Sequence, residues 1–126
     1  MSGVGSSETR ILLVEDDPTT REILTELLRH EGYEIDSVAS VGAGTTCLQS
    51  IRYALVISDW LLPDGSGIDV ADLAAQQGSK TLILSDYLFQ LPGRAAERHQ
   101  LLTKRLDPAM IVAAVRRAIG KPGSMV

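Results

Sequence analysis

Leu55-Val56-Ile57-Ser58-Asp59-Trp60-Leu61-Leu62-Pro63-Asp64-Gly65 is the stretch that decides the fold. The apolar run 54–57 is short, branched and uninterrupted, the pattern of a strand buried on both faces. It stops on a carboxylate, Asp59, and Pro63, Asp64 and Gly65 then impose a turn. Asp59 is therefore expected at the carboxyl end of a central strand, the edge on which open α/β sheets bind ligands.

The chain on either side supplies the other layers. Upstream, the run 10–14 is again short and apolar and ends in Glu15, Asp16 and Asp17. Asp17-Pro18 reads as a helix cap followed by proline at the first helical position. Ile23, Leu24, Leu27 and Leu28 recur at helical spacing until Gly32. Residues 33–38 alternate apolar with polar, which predicts a strand near one edge of the sheet. Ser40 can cap a second helix carrying Ala43, Thr46, Cys47, Ser50 and Ile51 on one face.

Downstream, 67–76 predicts a third helix and 81–84 a fourth strand closing on Ser85-Asp86. A fourth helix is expected within 87–98, short or irregular, because proline inside a helix costs ~3 kcal/mol or more and Pro92-Gly93 falls in its middle. Residues 99–103 read as a weak fifth strand ending at Lys104. Asp107-Pro108 repeats the cap signal, and Ile111, Val112, Val115, Ala118 and Ile119 form one stripe closed by Gly120. Strands alternating with helices imply an α/β domain over 10–120, a doubly wound, five-stranded parallel sheet with helices on both faces. Residues 1–9 are expected to be a disordered tail and 121–126 a C-terminal tail.

Composition excludes several classes. The chain has 126 residues, 44% of them hydrophobic, enough for one domain with a real core. The net charge of −4, with acids and bases mixed along the chain, gives no electrostatic footprint for nucleic acid or an anionic membrane surface. No apolar run approaches the ~18–20 residues needed to span a bilayer. Cys47 is the sole cysteine, so no internal disulfide can form. With no secretion signal either, a cytoplasmic location is expected. His30 and His99 lack partners at metal-ligand spacing and are expected to face solvent.

A parallel sheet brings all strand ends of one polarity to one rim. That rim would receive Glu15 and Asp16 from the first strand, Asp59 from the third, Ser85 from the fourth and Lys104 from the fifth. Three carboxylates repel one another, and a hard divalent cation relieves the repulsion. Mg²⁺ binds through one or two carboxylates, keeps several waters and meets substrate phosphate. A hydroxyl and an ammonium suit phosphoryl oxygens. The set fits phosphoryl transfer, which depends on positioning and charge neutralisation.

Four stretches carry a resemblance at this point. They are Ile11-Leu12-Leu13-Val14-Glu15-Asp16-Asp17-Pro18, Ser58-Asp59-Trp60-Leu61-Leu62-Pro63-Asp64-Gly65-Ser66-Gly67, Thr81-Leu82-Ile83-Leu84-Ser85, and Thr103-Lys104. Together they resemble the receiver domain of two-component response regulators, over roughly 10–120. The resemblance implies the flavodoxin-like receiver fold and a phosphoacceptor, not an enzyme turning over an external substrate. Asp59 would take a phosphoryl group from a phosphohistidine on a sensor histidine kinase or a histidine phosphotransfer protein, and the domain would then switch a protein-interaction surface. Asp16, Asp59 and the backbone carbonyl of Leu61 would ligate Mg²⁺, with Glu15 acting through a metal-bound water. Ser85 would hydrogen-bond the acyl phosphate and Lys104 would pair with its charge. The alternative is a pseudo-receiver that docks partners without being phosphorylated. A haloacid-dehalogenase-type phosphohydrolase is disfavoured, because Leu61 stands where that family has a second aspartate.

Three positions depart from the receiver pattern. Leu101 replaces an aromatic three residues before the lysine, Arg105 replaces a proline after it, and Asp86 replaces a small residue after the switch hydroxyl. A trans Lys104–Arg105 bond is expected, since a cis bond without proline costs ~2.5–4 kcal/mol. Asp86 is expected to point outward.

Overall fold

The computed structural model describes residues 9–86, 97–104 and 107–122. Residues 1–8 of the expected tail, most of the expected fourth helix, the Lys104–Arg105 bond and residues 123–126 lie outside the described residues. In chain order the elements are β1 (Arg10–Val14), α1 (Pro18–His30), β2 (Glu34–Val38), α2 (Val41–Ser50) and β3 (Leu55–Asp59). There follow β4 (Leu61–Leu62), β5 (Gly65–Ser66), α3 (Gly67–Gln76), β6 (Lys80–Ser85), β7 (Gln100–Thr103) and α4 (Pro108–Ile119).

Five strands form one sheet in the order β2-β1-β3-β6-β7, and every pairing in it is parallel. The doubly wound sheet and the edge position of β2 are as the sequence predicts. Side chains alternate across a strand. Ile11 and Leu13 therefore pack with Leu24 and Leu28 of α1 and with Ile111, Val112 and Val115 of α4. Leu12 and Val14 pack on the other face with Leu48 of α2 and with Val70 and Ala74 of α3. Both faces of β1 are covered, which is why its sequence is continuously apolar.

The helices begin where local chemistry says they should. Asp17 and Asp107 accept from Thr20 N and Ala109 N with proline next in sequence, and Ser40 accepts from Ala43 N. Each such cap is worth ~1 kcal/mol. Ser66 caps α3 through Ile68 N in the same way.

The winding places the site. From β1 the chain runs outward to β2, then returns past β1 to form β3 and continues toward β7. The crevice lies between the carboxyl ends of β1 and β3, where the helices that follow depart to opposite faces. The turn at Pro63-Asp64-Gly65 is closed by β4 and β5, a two-residue antiparallel pair that the sequence pattern did not reveal.

Three expectations are corrected. Thr46 and Ser50 of α2 are exposed, and the buried positions are Gly44 and Leu48. Gly44 lets the helix approach β1, since a Cβ there would lie 3.1 Å from Val14 Cγ2. Ile23 of α1 is 47% exposed, and the inward face runs through Leu24, Thr25 and Leu28. His99 is buried, not solvent-facing, because its ring bridges Thr81 Oγ1 at 2.5 Å and Asp72 Oδ1 at 2.6 Å. Arg98 grips the same Asp72 carboxylate at 2.9 and 3.1 Å. This network ties α3 to the start of β7 and holds the Asp72 carboxyl below its usual range, Arg98 and His99 outweighing burial.

Gly67 is the tightest backbone approach. A Cβ there would sit 1.7 Å from the Asp59 carbonyl oxygen and 2.4 Å from Ser58 Oγ, and Gly67 N donates to the Trp60 carbonyl at 2.7 Å. The amino end of α3 thus rests directly on the end of β3. Gly67→Ala should destabilise the fold by about 3 kcal/mol, the upper range for overpacking against atoms that cannot yield. Urea unfolding checks this, and an unchanged midpoint would show that the approach is looser than described.

Candidate functional site

Each acidic side chain is delivered by a strand end. Glu15 continues the β1 ladder through its N–H to the Val38 carbonyl at 3.0 Å, and its side chain is wholly buried. Its Oε2 accepts from Asp17 N at 3.0 Å and from Lys104 Nζ at 3.2 Å. Asp16 is exposed at the mouth. Asp59 ends β3, with 2% of its surface exposed. Ser85 ends β6 and is also buried, and its carbonyl accepts from Lys104 N at 3.0 Å. That backbone bond sets the origin of the lysine side chain.

Lys104 Nζ then reaches Glu15 Oε1 at 3.1 Å and Asp59 Oδ1 at 3.2 Å. The contact with Asp59 is an ion pair without hydrogen-bond alignment, so both Asp59 oxygens and Glu15 Oε1 are buried with no hydrogen-bond partner. Unsatisfied buried carboxylate oxygens cost on the order of 1–3 kcal/mol each. The carboxyl of Asp59 is pushed up to about 9, first by burial and then by adjacent Glu15, with Lys104 opposing. Lys104 is raised above its usual value because the two acids outweigh its own burial.

Glu15, Asp16, Asp59 and Lys104, four of the residues singled out from sequence, thus meet at one point. One oxygen from each of Glu15, Asp16 and Asp59 lies within 4.8 Å of the others. An all-oxygen set with orphaned buried lone pairs fits a hard divalent cation. Ser85 and Leu61 line the adjoining cleft with Asp59, Trp60, Asp86 and Lys104. The cleft holds about 120 Å³. That is well below the ~300 Å³ at which pockets for drug-sized ligands begin, but it has room for a phosphoryl group. Asp17 stays apart as a cap, accepting from Thr20 N and Oγ1 at 2.8 and 2.7 Å, and Thr20 lowers its carboxyl. Asp86 is exposed and is among the residues that line the cleft.

Two supports had no local signal in the sequence. Arg21 Nη1 donates to the Glu15 carbonyl at 2.8 Å and to that of Asp16 at 3.4 Å, fixing the acidic turn from below. Asp64 accepts from Val41 N and Gly42 N at 2.8 and 3.0 Å, pinning the turn after Asp59 to the start of α2. Leu101, at the position where the receiver pattern has an aromatic, is half-buried and packs with Trp60, Ile68, Ala71 and Ile83.

A family model for the response regulator receiver domain matches residues 11–116. The chain belongs to the response regulator receiver family. Among curated relatives, the DNA-binding response regulator MtrA of Mycolicibacterium smegmatis is 33% identical over 111 residues. That match covers 85% of this chain and 49% of MtrA, so the chain spans about half the length of that relative. Among solved structures, the response regulator TrrA of Thermotoga maritima in complex with Mg²⁺-BeF superposes with a TM-score of 0.79 at 29% identity. It covers 87% of this chain and 98% of that one. The receiver domain of the sensor histidine kinase PA1611 of Pseudomonas aeruginosa, with a magnesium ion in its cleft, reaches a TM-score of 0.78 over 90% and 98% of the two chains. Its identity is 22%, so that likeness speaks to the fold alone. Among the described residues, no helix is long and apolar enough to cross a membrane.

The raised Asp59 carboxyl has a signed consequence. Between its ordinary value and about 9, the folded receiver keeps a proton that the unfolded chain releases, so stability falls as pH rises through that window. Asp59→Asn removes the penalty and should stabilise the metal-free domain by about 2 kcal/mol near pH 8, with most of the gain gone near pH 4. Urea unfolding at both pH values checks this, and equal midpoints for the two proteins throughout would contradict it.

Proposed function

We propose that this receiver accepts a phosphoryl group on Asp59 from a phosphohistidine of a histidine kinase or phosphotransfer protein, with Mg²⁺ as cofactor, and thereby switches a protein-interaction surface. The observation that carries the reading is the Asp59 carboxylate itself. It is buried, its oxygens lack hydrogen-bond partners, and it faces a cleft shared with Ser85 and Lys104.

Glu15, Asp16 and Asp59, with the Leu61 carbonyl, would hold the magnesium ion. When bound, the ion supplies positive charge that offsets the acids and the phosphoryl oxygens. Asp59 is the nucleophile: one of its oxygens forms the bond to phosphorus as the phosphorus–nitrogen bond of the donor breaks, the electron pair leaving with the imidazole. Lys104 offers an ammonium to the transferred group, and its backbone tie to Ser85 keeps the two donors in register. Ser85 supplies a hydroxyl to the new acyl phosphate. Trp60 and Leu101 share one apolar cluster, so a shift at the cleft would be felt at β7 through packing.

The test uses magnesium and phosphoramidate. Intact-mass measurement should show the gain of one phosphoryl group, lost on treatment with hydroxylamine as an acyl phosphate is. Asp59→Asn and omission of Mg²⁺ should each abolish it. Lys104→Ala should slow it by about a hundred-fold, the scale of losing one preorganised donor. Equal labelling of Asp59→Asn, or no labelling of the unaltered chain, would overturn the reading.

A further inference from the structure

Asp86 takes no part in the chemistry set out above, yet it shares the cleft. It follows Ser85 directly where β6 ends, and it is exposed while Ser85 and Asp59 are buried. Among the described residues no cation pairs with it. A dication and Lys104 would together balance Glu15, Asp16 and Asp59, and no further cation among the described residues compensates Asp86.

Phosphoryl transfer runs with the attacking and leaving atoms roughly in line. The attacking oxygen belongs to Asp59 at the cleft's buried base, so the leaving group would point toward solvent, and Asp86 is the exposed carboxylate among the cleft's lining residues. We infer that Asp86 makes the cleft select phosphoryl donors whose leaving group is a protonated nitrogen over donors whose leaving group is an anion. The inference rests on the phosphoacceptor reading and adds a specificity-determining residue to it.

Two small donors separate the cases. From phosphoramidate, a phosphorus–nitrogen bond breaks as the Asp59 oxygen–phosphorus bond forms, and the nitrogen that carried the positive charge leaves as ammonia. From acetyl phosphate, a phosphorus–oxygen bond breaks with the same bond forming, and acetate carries the negative charge away. The transferred group and the product are identical. Only the charge facing the mouth differs, attracted to Asp86 in the first case and repelled in the second.

The experiment measures initial rates of Asp59 phosphorylation from both donors for the unaltered chain, Asp86→Asn and Asp86→Glu. Asparagine keeps the size and removes the charge; glutamate keeps the charge. The phosphoramidate-to-acetyl phosphate rate ratio should fall roughly five- to ten-fold in Asp86→Asn, as Coulomb's law gives for charges several Å apart in water. It should stay near the parent value in Asp86→Glu, and high salt should bring the parent ratio toward that of the asparagine variant. Beryllofluoride, an anion read by Trp60 fluorescence, should bind a few-fold tighter to Asp86→Asn. An unchanged ratio in Asp86→Asn, or an equal change in both rates, overturns the inference alone. No transfer to the unaltered chain from either donor overturns the phosphoacceptor reading and the inference with it.

Discussion

The carboxylate of Asp59 lies against a wholly buried Glu15, 3.2 Å from the ammonium of Lys104. Two acids taken out of water and placed side by side oppose each other, and one must hold its proton or find a cation. Lys104 answers part of this need. A unit charge pair about 4 Å apart is worth about 4 kcal/mol at the effective dielectric of a protein's outer layers, which competes with desolvation without cancelling it. What remains is a site that favours added positive charge. A cation drawn there would have oxygen ligands waiting, and a phosphoryl group brought next to it would find Lys104 and Ser85 close by.

Such a site survives only if the backbone around it cannot relax. Three contacts serve that end, each from a different element. Arg21 of α1 holds the carbonyls of Glu15 and Asp16. Asp64 fastens the turn after Asp59 to the amino end of α2, where its charge also suits the helix dipole. Gly67 allows α3 to press on the end of β3 with no side chain between. Away from the cleft, His99 joins α3 to the strand β7 that leads to Lys104, through Asp72 and Thr81. The acids are therefore gripped through α1, α2 and α3, and the lysine arrives on a strand tied to α3.

The fold was legible where the physics is local. Proline after Asp17 and Asp107, the serine before Val41 and the uninterrupted apolar runs all act within a few residues, and each element they announced is present. The acids of the site were legible for a related reason: a run of buried apolar residues that ends on a carboxylate leaves that carboxylate at a strand end. What escaped depends on packing between distant segments. Gly44 carries no hydrophobic signal, yet its lack of a side chain sets how closely α2 meets Val14. Sequence alone gives no reason to bury His99, because its partner Asp72 lies 27 residues earlier, on a helix whose position only the tertiary structure fixes. Asp64 bonds to the backbone N–H groups of Val41 and Gly42 at the start of α2, and no spacing rule encodes such a contact.

The central claim is that crowded, partly desolvated acids create the affinity for a dication. Its most direct measurement is a Mg²⁺ titration read by the fluorescence of Trp60, which lines the cleft, in the unaltered chain and in Glu15→Gln, Asp16→Asn and Asp59→Asn. The account predicts a saturable change in the unaltered chain, and affinity reduced at least ten-fold by each substitution, on the scale set by losing a ligand or its supporting charge. A titration with no saturation in the unaltered chain, or with the same affinity after all three acids are neutralised one at a time, would contradict it.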